Sequence, residues 1–174
     1  MPRLSHILPR IRQRGTYWCI PAGIENMLRC VDYNDLTQED LVIGVVRPLG
    51  NTNESDPEIL ERFRCERLPN ATFQTFRVVA EHLMKTSLSN WKFELKDKVN
   101  ERLEYVRYIK EAIAADEPIL ISVKNPTGED WHITMVYEYN GDVLSWYDLA
   151  QDTNVNRDAS RCSFSADILV LRKT

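Results

Sequence analysis

Over roughly the first two thirds of the chain, apolar residues recur three or four positions apart, a period typical of amphipathic helices. Thr37 and Asp40 form a pair that resembles a capping box, and Asp56-Pro57 is typical of an N-cap followed by proline. The predicted helices begin near Cys19, Thr37, Asp56, Thr72 and Leu103. The apolar face predicted for the last helix consists of Leu103, Val106, Ile109 and Ile113.

After Glu117 the period changes to two, which is typical of strands. We predict strands over residues 118–124, 131–139, 143–148 and 165–172, a turn at 125–128, and an edge strand around Trp91, Phe93 and Leu95. Asn140-Gly141 is a strong hairpin signal. Strands that follow helices, instead of alternating with them, indicate an α+β fold with an antiparallel sheet.

Length and composition are those of one globular domain. The chain has 174 residues, of which 43% are hydrophobic and 28% are charged. We expect a basic arm over residues 1–14, solvated or partly ordered, followed by a single domain over residues 15–174. The formal net charge of −4 argues against a nucleic-acid partner. No apolar run reaches the length of a membrane helix, so no membrane partner is expected.

The first residues contain four arginines but no continuous apolar segment, so we expect no secretory signal and a cytoplasmic location. In that compartment the four cysteines are expected to be reduced thiols. Their spacing includes no Cys-x-x-Cys pair, and no histidine pair accompanies them, so no structural metal is predicted. No cofactor is implied.

Cys19 carries the first chemical signal, because it lies where the first predicted helix begins. Backbone N–H groups and the helix dipole favour a thiolate there, and the thiolate is the nucleophilic form of cysteine. Gln13 lies six residues earlier, where a loop can present its amide beside the Cys19 N–H as an oxyanion hole. Alone, each residue has an ordinary explanation: a buried thiol and an exposed polar side chain.

His132 and Asp148 lie on the two strands of the predicted hairpin, and imidazole is suited to accept a proton from a thiol. With a two-residue turn at Asn140-Gly141, His132 opposes Leu149 and Asp148 lies on the other face. With a three-residue loop and a bulge at Gly141, His132 faces Asp148 directly. A bulge elsewhere serves equally well, so the sequence permits the pair without requiring it.

These residues together resemble the papain-like cysteine peptidases. The segments AADEPILISV and WHITMVYEYNGDVLSWYDLA are most similar to the bacterial group that includes the double-glycine leader peptidases and their stand-alone relatives. The resemblance implies a papain-like fold, with an N-terminal helical part packed on a C-terminal antiparallel sheet. It also implies Cys19 as nucleophile, His132 as general base and acid, Asp148 as orienting group and Gln13 as oxyanion donor.

The predicted function is therefore that of a thiol hydrolase, most simply a cysteine peptidase that acts on a peptide or protein through a Cys19 thioester. Two alternatives remain open. One is a catalytically inactive papain-like domain that binds a protein partner, and the other is a thiol acyltransferase or deamidase using the same thioester. Three tryptophans are expected to line the substrate cleft: Trp18, Trp131 and Trp146.

Overall fold

The computed structural model describes residues 2–6, 8–49, 53–84, 88–124 and 131–174, so the turn predicted at 125–128 lies outside the described residues. Within these ranges the chain is α+β. The helices are α1 (Cys19–Cys30), α2 (Gln38–Leu49), α3 (Asp56–Phe63), α4 (Phe73–Leu83) and α5 (Arg102–Ala114). The strands are β1 (Trp91–Lys96), β2 (Ile119–Lys124), β3 (Trp131–Asn140), β4 (Val143–Asp148), β5 (Thr153–Asp158) and β6 (Phe164–Lys173).

All five predicted helices are present, with two corrections at the level of single residues. The N-cap of α3 is Ser55, whose side chain forms a capping box with Glu58, so Asp56 is the first helical residue and not the cap. In α5, Leu103 is 83% exposed, because the buried face is rotated toward Tyr105 and Ala112. The predicted face was therefore wrong at Leu103 alone; Val106, Ile109 and Ile113 are buried.

The strands form one sheet in the order β1-β6-β2-β3-β4-β5, and every neighbouring pair is antiparallel. The predicted strands are present, including the edge strand β1. Strand β5 was not predicted, because its sequence TNVNRD is polar and only Val155 carries an apolar side chain typical of a strand. It forms the opposite edge of the sheet and pairs with β4.

Helices pack on both faces of the sheet. The Cα of Gly23 in α1 lies so close to β2 and β3 that a Cβ there would be 2.8 Å from Leu120 and 3.5 Å from Ile133. On the other face, Tyr105 of α5 stacks on Phe164, with ring centroids 4.6 Å apart. Phe164 opposes Val123 in the sheet. The first helix therefore approaches β3 closely at the strand that carries His132.

The N-terminal arm, expected to be solvated or partly ordered, contacts the domain at several points within residues 2–6 and 8–14. Leu4 is 3% exposed, and its N–H donates to the Tyr137 carbonyl at 2.9 Å. The hydroxyl of Ser5 donates to Asp116, and the backbone N–H of Ile11 donates to Asn26. Burial of an apolar side chain, together with backbone hydrogen bonds, explains why this short segment is ordered.

No helix among the residues that the structure describes is long and apolar enough to cross a membrane.

We expect Leu4→Ala to lower the free energy of unfolding by about 2–4 kcal/mol, because it leaves a cavity between the arm and β3. Leu103→Ala is the matched control, since the same atoms are removed from a side chain that is 83% exposed. That control should change stability by less than about 0.5 kcal/mol. Urea unfolding followed by circular dichroism measures both; equal effects would mean that the arm is not packed in solution.

Candidate active site

Cys19 is the first residue of α1, as the sequence predicted, and its sulfur lies against β3. Burial raises the pKa of the Cys19 thiol. Three backbone N–H groups face the sulfur and lower the pKa by less: those of Ile133, Ile20 and Cys19 itself. The expected N–H groups are therefore present at the helix start, but in this conformation burial outweighs them and the neutral thiol is favoured.

His132 and Asp148 are in contact. The imidazole Nε2 lies 3.0 Å from Asp148 Oδ1, and the same oxygen accepts hydrogen bonds from the N–H groups of Ala150 and Gln151, both at 2.9 Å. Burial raises the pKa of Asp148, but the bonds from His132 and the two N–H groups lower it further, so the net pKa lies below its usual range. The carboxylate is thus held in its ionised form beside the imidazole.

A bulge in β3 puts the two side chains on one face of the sheet. The hairpin turn consists of Gly141 and Asp142, because Asn140 pairs with Val143, and Gly141 has φ +57°. The turn is therefore shifted by one residue from Asn140-Gly141. The register then shifts between Val136 and Glu138, so that Thr134 pairs with Asp148. His132 is two residues from Thr134 and shares its face. Of the alternatives open from the sequence, a bulge away from the turn is the one found.

Cys19 and His132 are neighbours through Ile133, the residue that follows His132 and whose N–H faces the sulfur. Among the described side chains, no hydrogen bond joins Cys19 to His132. The structure therefore forms the His132–Asp148 pair and positions the thiol beside the strand, without linking thiol and imidazole. Catalytic hydrogen bonds are often long or open in the absence of substrate.

Gln13 lies in the loop before α1, but its side-chain amide does not serve as the oxyanion donor that the resemblance implies. It forms hydrogen bonds within the loop. Its Nε2 donates to the carbonyls of Gly15 at 3.0 Å and Thr16 at 2.9 Å. Its Oε1 is buried without a hydrogen-bond partner among the described residues. Both amide protons are thus occupied, so an oxyanion at Cys19 receives no donor from Gln13 in this conformation.

The three tryptophans have different surroundings. Trp18 is 2% exposed and its Nε1–H donates to the Phe63 carbonyl at 2.9 Å, so it is a core residue and does not line the pocket beside His132 and Asp148. Trp131 is 49% exposed at the start of β3. Trp146 lies beside His132 and Asp148 in the wall of a small pocket.

Three further residues that line the same pocket were not predicted from the sequence: Arg157, Lys124 and Gln151. Arg157 belongs to β5, the strand that was not predicted, and Lys124 ends β2. The only signal for Arg157 was its alternation with Val155, which is too short to distinguish a strand from a polar loop.

The remaining cysteines are all free thiols and provide internal references. Burial raises the pKa of Cys30 to about 12 and also raises that of Cys162. Cys65 is exposed.

Comparisons of the chain with protein-family models and with curated proteins found no match.

Folding lowers the pKa of Asp148. The ionised carboxylate therefore stabilises the folded state at pH values above the pKa of about 4 that it has in the unfolded chain. This stabilisation is lost as the pH falls through the lower pKa that Asp148 has in the folded state. We expect Asp148→Asn, which keeps the shape but removes the charge, to lower the free energy of unfolding by about 1 kcal/mol at pH 6. The difference from wild type should shrink as the pH falls from 6 toward 2, because the Asp148 carboxylate becomes protonated as the pH falls through its lowered pKa.

Urea titrations at both pH values measure this difference. Asp152→Asn is the control, because it makes the same substitution at an exposed carboxylate that does not contact His132. Asp152 accepts a hydrogen bond from the Tyr147 hydroxyl at 2.6 Å. A loss for Asp148→Asn that is the same at pH 6 and pH 2 would contradict the charge-based account of the pair.

Proposed function

We propose that the protein is a thiol hydrolase of papain-like fold, most simply a cysteine peptidase, in which Cys19 forms the acyl-enzyme and His132 is the general base. The observation that carries the proposal is the 3.0 Å contact between His132 Nε2 and Asp148 Oδ1, formed one residue away from the N–H that faces the Cys19 sulfur. A nucleophile, a base and an orienting carboxylate are the three parts that such chemistry requires.

The Asp148 contact assigns the imidazole tautomer. An ionised carboxylate can only accept hydrogen bonds, so His132 Nε2 carries the proton that is donated to Oδ1. Nδ1 is then unprotonated in the neutral imidazole and is the atom that takes a proton from the thiol. The carboxylate also stabilises the imidazolium that forms after that transfer.

The reaction proceeds in two balanced steps. His132 Nδ1 accepts the thiol proton, the Cys19 thiolate adds to the carbonyl carbon of the substrate, and the tetrahedral intermediate collapses to a thioester as the proton passes to the leaving amine. Water then gives a proton to Nδ1 and adds to the thioester, which releases a carboxylic acid and regenerates the thiol. If an amine takes the place of water, the same thioester supports acyl transfer.

The mechanism requires a change in the Cys19 side chain. In the described conformation the sulfur faces the Ile133 N–H, and burial keeps the thiol neutral. The reaction requires the sulfur to move from this N–H toward the imidazole, by side-chain rotation or by a shift of the helix start. A thiolate formed there is stabilised by the imidazolium, which compensates for the cost of burying a charge. The backbone N–H groups of Cys19 and Ile20 remain near the sulfur as oxyanion donors.

A second candidate function is a catalytically inactive domain of the same fold that binds a protein partner. Two observations favour it: burial raises the pKa of Cys19, and Gln13 donates both amide protons to Gly15 and Thr16 instead of to an oxyanion. A binding module has no need of a nucleophilic thiol. The reactivity of Cys19 therefore distinguishes the two functions.

We expect iodoacetamide to alkylate Cys19 well below pH 8, ahead of the other three cysteines, because a thiolate–imidazolium pair forms with His132. His132→Ala should slow this reaction at pH 6 by about tenfold or more. The rate is measured for each cysteine by mass spectrometry after timed labelling, from pH 5 to pH 10.

Cys65 is the control within the same molecule, since its exposed thiol has no imidazole partner among the described residues and its rate should be the same in both variants. His82→Ala, a change on an exposed helix residue, controls for the loss of a histidine. A Cys19 that reacts only at high pH and is unaffected by His132→Ala would reject the hydrolase and favour the binding module.

A further inference from the structure

A small pocket adjoins the His132–Asp148 pair on the same face of the sheet. Its volume is about 90 Å³, which is enough for a small functional group but not for a large side chain. Strands β2 to β5 and the turn after β4 form its walls. Beside the His132–Asp148 pair, its lining residues include Val123, Trp146, Val155 and Arg157.

Arg157 of β5 brings a positive charge to the wall of this pocket. No ion pair joins it to a carboxylate among the described residues, whereas Arg172, for example, is paired with Glu117. The guanidinium of Arg157 lies over the ring of Trp146, 5.8 Å from its centroid, which orients it within the pocket. The Arg157 side chain is only partly exposed, so it is partly shielded from water.

Asp148, the carboxylate in the described wall of the pocket, forms an ion pair with His132 and none with Arg157. Asp148 directs Oδ1 to His132 and to the N–H groups of Ala150 and Gln151. Apolar side chains complete the pocket on the sheet surface: Val123, Trp146 and Val155. A partly dry pocket with positive charge and apolar walls favours a small anion that also contacts carbon.

We propose that this pocket is a subsite that binds a carboxylate group, with Arg157 as the specificity-determining residue. The role as a substrate subsite rests on the function proposed above, because it takes the neighbouring His132 as the base. The carboxylate has two sources in a peptide, namely an acidic side chain or the chain terminus. The binding of a carboxylate by the pocket does not depend on Cys19 being reactive.

Three small ligands test the pocket directly. N-acetylglutamate α-amide carries its carboxylate on the side chain, N-acetylglutamine is its isomer with the carboxylate at the terminus, and N-acetylglutamine amide is the neutral control. Each is titrated into the ¹⁵N-labelled protein, and the Trp146 indole N–H resonance, assigned with Trp146→Phe, is followed. We expect one or both acids to shift it saturably and the neutral amide to leave it unchanged.

Arg157→Gln should weaken this binding by about tenfold, because a charge-assisted hydrogen bond is lost. The matched control is Arg161→Gln, which makes the same charge change at an exposed residue outside the pocket and should leave the affinity within about twofold. Arg157→Met, which removes the charge but keeps an unbranched side chain, provides a second pocket variant if Arg157→Gln unfolds, and it should weaken the binding by a similar factor. The proposal is overturned if neither acid binds, if the neutral amide binds equally well, or if the Arg157 and Arg161 variants behave alike.

A labelling experiment separates failure of the subsite from failure of the proposed function. Anionic iodoacetate and neutral iodoacetamide are compared at Cys19, and we expect Arg157→Gln to lower the ratio of their rates by about threefold. If Cys19 reacts with neither reagent, the hydrolase is rejected while the titration still decides the pocket. If Cys19 is reactive but neither acid binds in the titration, the subsite is rejected and the hydrolase stands.

Discussion

Helix α1 buries two polar side chains, and the arrangement of the surrounding chain follows from the need to satisfy them. Glu25 is fully buried and Asn26 is 1% exposed. Glu25 accepts hydrogen bonds from Arg29 on its own helix and from both the backbone and the side chain of Gln38 at the start of α2. Asn26 exchanges two hydrogen bonds with Ile11, at 2.9 and 2.8 Å. A buried carboxylate without such partners is strongly destabilising, so these contacts fix the N-terminal arm and α2 relative to α1.

The same contacts determine the loop that leads to Cys19. Gln38 accepts from the Arg14 N–H at 2.8 Å, and Gln13 donates its own N–H to the Leu149 carbonyl at 3.0 Å, so the loop is held by α2 on one side and by the end of β4 on the other. Gly15 then packs so closely on Trp18 that a Cβ would lie 2.6 Å from the indole ring. In so tight a turn the Gln13 amide satisfies local carbonyls. The spacing from Gln13 to Cys19 predicts an amide beside the thiol, whereas the direction of that amide depends on the path of the loop.

Local signals were sufficient for most of the fold and for part of the site. Helix periodicity, the Thr37–Asp40 pair and the glycine of the hairpin depend on neighbouring residues, and each was predictable from the sequence. The bulge at Tyr137 was not, because a bulge depends on how the rest of the strand packs against its neighbours. That single inserted residue decides whether Asp148 shares a face with His132. Strand β5 was missed for a related reason: it pairs through its backbone and has little side-chain pattern, so Arg157 could not be placed beside the pair.

The candidate site therefore consists of two parts that the fold brings together by different means. His132 and Asp148 are held within the sheet by backbone pairing and by the N–H groups of the turn after β4, so their contact exists before any ligand arrives. The thiol belongs to α1. This helix can lie close to the sheet because Gly23 has no side chain to collide with Leu120. A larger residue at that position would push the helix away from β3 without disturbing the His132–Asp148 contact. In the proposed hydrolase, the sulfur is therefore the group that must move, from the Ile133 N–H toward His132, to complete the site.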